Sequence, residues 1–153
     1  MRAIAYSIRS NEKEPLALAN VRRHHITLIT NRLTLATADF AEGKDAVIVS
    51  SADELSLEVI ERLVELDVKY ILVKGSKSYN LTTEQSDGSA KPLQIVDLSF
   101  LYHQQDVNEN LILEQVAIET VLTLNRWEES NQEDFIHYTS RDYSGMPQVR
   151  RSA

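Results

Sequence analysis

Leu57, Ile60, Leu63 and Val64 recur at three- and four-residue spacing with Glu58, Glu61, Arg62 and Glu65 between them. That pattern predicts a surface helix from Ser56 with one apolar stripe turned to a core. The next apolar run, Tyr70-Ile71-Leu72-Val73, does not alternate. It suits a strand covered on both faces. Ala3 to Ser7, Ile26 to Thr30, Ala46 to Val49 and Leu93 to Val96 read as four further strands, with turn residues Ser86-Asp87-Gly88-Ser89 ahead of the last. Helical signals lie between them. Glu12, Glu14 and Pro15 are residues favoured in a first helical turn, Thr34 to Ala41 reads as a brief helix with Gly43 as its stop, and Ser51 with Glu54 has the form of a capping box introducing the helix at Ser56.

Strands alternating with helices predict an α/β fold, a parallel sheet with right-handed crossovers covered on both sides. Ligands of such sheets sit beyond the carboxyl ends of the strands. This gathers Ser7 to Arg9, Asn31, Ser50 with Ser51, Lys74 to Ser78 and Asp97 to Ser99 onto one rim.

From Val107 to Trp127 the pattern is one long helix, roughly 30 Å at 1.5 Å per residue. Its apolar positions, Leu111, Val116, Ile118, Leu122 and Trp127 among them, cover more than the narrow stripe a helix needs for its own sheet. The excess face predicts a partner: a second copy in a two-fold dimer, or the chain's own tail folded back. The expected organisation is a domain over 1–106, a crossing or dimerisation helix over 107–129, and a polar tail over 130–153.

Composition narrows the chemistry. The 153 residues suit a single core, and the net charge of −7 argues against nucleic acid as a partner. With no cysteine there is no disulfide, thiol nucleophile or thiolate metal site. No apolar run reaches the ~20 residues of a membrane span, so no membrane partner and a cytoplasmic location are expected. Gly43, Gly75, Gly88 and Gly145 are the four glycines, which excludes both a Gly-x-Gly-x-x-Gly turn and a Walker phosphate loop. His24-His25, His103 and His137 lack metal-ligand spacing, so neither a metal nor a cofactor is expected. Ser50 and Ser51 have no paired histidine and read more simply as helix caps than as nucleophiles. Lys74 and Lys77 bracket Gly75-Ser76 at a strand end, where ammonium groups and loop amides could converge on a carboxylate or phosphate; the alternative is a solvated basic turn.

The stretches Arg32 to Ala38, Gly43 to Val47, Asp53 to Leu55, Val59 to Glu61 and Leu66 to Ile71 resemble the amino-terminal substrate domain of D-2-hydroxyacid dehydrogenases, the D-lactate dehydrogenase branch in particular. Leu122-Thr123-Leu124-Asn125-Arg126 is similar to the Leu-Ala-Leu-Asn-Arg segment of the helix by which that family crosses into its cofactor domain. The resemblance covers roughly residues 1–126 and implies a three-layer flavodoxin-like sheet of order 2-1-3-4-5 with a long carboxyl-terminal helix that contributes to dimer contacts. The family's cofactor turn and its catalytic arginine, glutamate and histidine have no counterpart here. Its loop after the fourth strand reads Arg-(Cys/Ser)-Ala-Gly-aromatic-Asn, and the backbone amides of that loop help hold the substrate carboxylate. Here Lys74, Gly75, Ser76, Lys77, Ser78, Tyr79 and Asn80 stand in that place, with Lys77 for the glycine and Ser78 for the aromatic. Tyr102 lies near the family's substrate-loop tyrosine.

The resemblance implies a substrate domain without oxidoreductase activity of its own, a homodimer that binds a small carboxylate or phosphate at Ser50, Ser51, Lys74, Gly75, Ser76, Lys77, Tyr79, Asn80 and Tyr102. Two alternatives stand beside it: a substrate half-site for a separate NAD-binding subunit, and a regulatory module docking on a full-length dehydrogenase.

Overall fold

The computed structural model describes residues 1–75, 93–103 and 108–142, with 132–142 as backbone. Five strands form, β1 (Arg2–Ala5), β2 (His25–Leu28), β3 (Ala46–Val49), β4 (Tyr70–Val73) and β5 (Gln94–Asp97). The helices are α1 (Ser10–Asn20), α2 (Leu57–Glu65) and α3 (Glu109–Asp142), and 3-10 turns lie at Ala38–Ala41, Ala52–Glu54 and Ser99–His103. Every strand pair is parallel, in the order β2-β1-β3-β4-β5. The sheet order and class are those expected from the sequence. Ile4, Val47, Ile71 and Ile95 stand in one row across β1, β3, β4 and β5.

β3 and β4 are buried at every residue because both faces are covered, while the edge strands β2 and β5 keep exposed positions. On one face Ile4, Tyr6, Val47, Val49, Ile71 and Val73 pack with Leu33 and with Val59 and Leu63 of α2. On the other, Leu16 of α1 meets Ala117 and Val121 of α3. The chain divides into two compact units, Met1–Val121, which contains the sheet, and Leu122–Ala153, which contains the rest of α3.

Four local expectations change, the first being the brief helix read over Thr34 to Ala41, of which only the 3-10 turn Ala38–Ala41 forms. The cap that starts α2 is Ser56, whose Oγ accepts from Val59 N at 3.2 Å, whereas Ser51 caps the 3-10 turn before it by accepting from Asp53 N. Glu54 therefore does not close a box with Ser51. The buried stripe of α2 is Val59 and Leu63 with the half-buried Ile60 and Leu66, and Leu57 and Val64 face outward. Two overlapping apolar stripes exist in this sequence, and packing selects the one that reaches the sheet. α3 continues past Trp127 to Asp142, because 128–142 is polar but holds neither glycine nor proline to end it. Among the described residues no helix is long and apolar enough to cross a membrane.

Ser56→Ala removes the acceptor for an amide that has no partner within the helix, so chemical denaturation is expected to show a loss of about 1 kcal/mol. A change below a few tenths would place the start of α2 elsewhere.

Candidate functional site

The carboxyl ends of β1, β3, β4 and β5 form one edge, and backbone hydrogen bonds beyond the strands stitch it together. Gly75 N donates to Ser50 O at 2.9 Å, Lys74 N to Val49 O, and Leu98 N to Val73 O. Gly75 is then pressed against the next segment. Its φ is +98°, and a Cβ at this position would overlap Cα and Cβ of Ser99 and lie 2.8 Å from Ser99 N. Only glycine combines that dihedral with that approach. Ser99 is itself fixed by donating its N–H to Asp97 Oδ1 at 2.9 Å, which opens the turn that carries Tyr102.

Lys74 is not the open cation that its place at a strand end suggests. It is buried, and its Nζ donates to Glu12 Oε2 at 2.9 Å. Glu12 is also buried and works in two directions. Its Oε1 accepts from Arg9 N at 2.8 Å, closing the start of α1, while its Oε2 holds Lys74 and lies 3.9 Å from the Arg9 guanidinium. Glu12 reads in the sequence only as a residue of a first helical turn; that it meets a lysine 62 positions away is decided by the sheet. The pair borders a cavity of about 20 Å³ shared with Ile8, Leu16, Val116 and Thr120. This is room for a water rather than a metabolite. A small anion at this rim therefore has to be met from the solvent side.

Tyr102 is half-buried, and its hydroxyl is pushed above the usual phenol range by burial first and by the nearby Glu12 carboxylate second, with Glu109 adding to the rise and Arg9 opposing it. The phenol, the Arg9 guanidinium and the Glu12 carboxylate thus share one neighbourhood, with the phenol held in its protonated, hydrogen-bond-donating form. Ser51 spends its hydroxyl on Asp53 N, and Ser50 offers its carbonyl to Gly75. Ser76, Lys77, Tyr79 and Asn80 lie outside the described residues. Of the expected self-association positions, Leu111, Ile118 and Leu122 are exposed, and Val116 and Trp127 are buried.

A second buried carboxylate was not anticipated. Glu54 accepts from Leu33 N at 3.0 Å and lies near the Ser7 hydroxyl, so it ties the loop after β2 to the loop after β1. Ser7 takes a left-handed φ of 58° in doing so. Tyr6 fastens the same loop by donating its hydroxyl to Thr37 O at 2.8 Å. Among the described residues no cluster of three metal-ligating side chains comes together.

No protein-family model matches the sequence, and no curated protein does. Among solved structures, the chain is similar to a Salmonella D-lactate dehydrogenase, with 27% identity and a TM-score of 0.44 over 53% of this chain and 26% of that one. It is also similar to the apo D-lactate dehydrogenase of Escherichia coli, with 22% identity and a TM-score of 0.47 over 65% of this chain and 31% of that one. A D-2-hydroxyisocaproate dehydrogenase matches at 16% identity and a TM-score of 0.44 over 77% of this chain and 28% of its own. The chain spans between about a quarter and a third of the length of these proteins.

Proposed function

We propose that this chain is a D-2-hydroxyacid dehydrogenase-like substrate domain that binds a small carboxylate or phosphate at the carboxyl rim of its sheet and does not carry out hydride transfer by itself. The observation that carries the reading is that the stretches resembling the family fold as a sheet of order β2-β1-β3-β4-β5, so that Lys74 and Gly75 stand at the strand end where the family's carboxylate-holding loop begins. Ligand recognition at such a rim comes from loop amides and a few charged or hydroxyl groups.

Gly75 adds an argument for a changed pocket. The family carries cysteine or serine at this position, residues that rarely adopt a φ of +98°. Gly75 therefore holds a backbone conformation that the family's residue at this position rarely adopts, and a pocket shaped for 2-oxoacid turnover does not follow from the resemblance. Hydride transfer also needs a bound nicotinamide and an acid/base pair. The sequence offers no Gly-x-Gly-x-x-Gly turn to hold the first.

Exposed Leu111 and Ile118, seven residues apart on α3, support self-association through that helix. The expected species in sedimentation is a dimer.

The purified 153-residue chain mixed with NADH and pyruvate is expected to give no oxidation of NADH at 340 nm, and to melt at a higher temperature in millimolar pyruvate or inorganic phosphate. Turnover by the chain alone overturns the non-catalytic part of the reading, and an unchanged melting point with both anions overturns the binding part. Turnover that appears only on adding a separate NAD-binding subunit supports the half-site alternative instead.

A further inference from the structure

We propose that Arg9 presents the charge that an anion meets at this rim, and that Lys74 acts behind it as a buried counter-ion of Glu12. The inference rests on the reading of the rim as a carboxylate or phosphate site, and it names the side chain that recognises the charge.

Two cations converge on one carboxylate oxygen. Lys74 Nζ lies 2.9 Å from Glu12 Oε2 and the Arg9 guanidinium 3.9 Å from the same atom. Two cations against one anion leave the cluster with a surplus of one positive charge, on a chain whose formal net charge is −7. Where that surplus can be felt follows from burial. Lys74 has 8% of its side chain exposed and Glu12 10%, and their cavity is lined by apolar Ile8, Leu16 and Ile48. Pulling Lys74 toward a ligand would strand the carboxylate in that apolar setting, a strongly unfavourable exchange. Arg9, by contrast, keeps 60% of its side chain exposed.

The guanidinium suits the task in its own geometry. It has five N–H donors in a planar fork, and an edge turned to Glu12 leaves donors for a second partner with the bidentate spacing that carboxylate and phosphate oxygens match. Glu12 accepts from Arg9 N at 2.8 Å and so fixes the backbone from which the side chain leaves. Tyr102 supplies a hydroxyl in the same field, since Arg9 acts on its titration and Glu12 does as well. Glu109 on α3 is the opposing charge in this field.

The test is titration calorimetry with inorganic phosphate and with pyruvate on the whole chain, comparing the unaltered protein with Arg9→Gln, Arg9→Lys and Lys44→Gln. Lys44 precedes β3 at the opposite ends of the strands and serves as a control of equal charge loss. Arg9→Gln is expected to weaken binding roughly fivefold or more, the scale of about 1 kcal/mol for one partly exposed charged contact. Arg9→Lys is expected to recover part of the loss, and Lys44→Gln to stay within roughly twofold of the unaltered chain. Equal losses from Arg9→Gln and Lys44→Gln, or none from Arg9→Gln while the unaltered protein binds, overturn the assignment of Arg9 and leave the rim reading standing. If the unaltered protein binds neither anion, both fall together. Arg9 lies on the surface, so folding of its variants, checked by thermal melting, does not confound the comparison.

Discussion

Replacing Gly75 with alanine is expected to cost about 3–5 kcal/mol, a large share of the roughly 5–15 kcal/mol of an ordinary domain. Two penalties act at one atom. The φ of +98° is strained for any residue with a Cβ, and the added methyl would overlap the backbone of Ser99, which cannot rotate away as a side-chain end could. Moving Ser99 would in turn disturb its hydrogen bond to Asp97 and the turn carrying Tyr102. Urea denaturation followed by circular dichroism measures the effect. A loss under 1 kcal/mol would mean that the ends of β4 and β5 are not in contact as described. Valine is expected to be worse than alanine, since β-branching makes the left-handed region less accessible still.

Lys74→Met is the second large effect, with an expected loss of about 3–5 kcal/mol because it leaves the Glu12 carboxylate buried opposite an apolar side chain. The informative variant is the pair. Glu12→Gln together with Lys74→Met removes both charges, keeps an amide oxygen able to accept from Arg9 N, and adds an apolar chain beside Ile8, Leu16 and Ile48. The double variant is expected to lie within roughly 1 kcal/mol of the unaltered protein, so a double-mutant cycle should show strong coupling between two residues 62 apart in the chain. Additive losses would show that the ion pair does not exist in solution. Arg9 is close enough to replace part of the missing charge, so Lys74→Met should be more damaging still in an Arg9→Gln background.

The two variants separate stability from recognition. Gly75→Ala tests the scaffold that brings the ends of β3, β4 and β5 together, whereas the neutral pair removes the buried charges and leaves Arg9 exposed at the rim. If Arg9 reads the anion, the neutral pair should bind it at least as well as the unaltered chain, because no carboxylate then competes for the guanidinium.

Much of the architecture is legible in the residues. β3 and β4 fall where continuous Ala46 to Val49 and Tyr70 to Val73 place them, because a strand buried on both faces needs apolar side chains at every position. The element boundaries are less secure. Ser51 with Glu54 has the better cap pattern in the sequence, yet Ser56 caps α2, whose Val59 and Leu63 fit the sheet. In α3, polar composition after Trp127 suggested an end, yet without glycine or proline nothing in the backbone requires one.

The rim shows the same division. That Lys74 stands at a strand end and Glu12 in a first helical turn is local, set by patterns a few residues wide. That Glu12 neutralises Lys74, that Gly75 has no room for a Cβ beside Ser99, and that Arg9 keeps its charge in solvent are relations between segments distant in the chain. Periodicity and turn chemistry therefore determined the strands, their parallel sense and the edge at which a ligand would be met. Which charges at that edge are buried and paired, and which remain open, was decided only in three dimensions, because desolvation and Coulomb energy depend on distances through space that sequence separation does not contain.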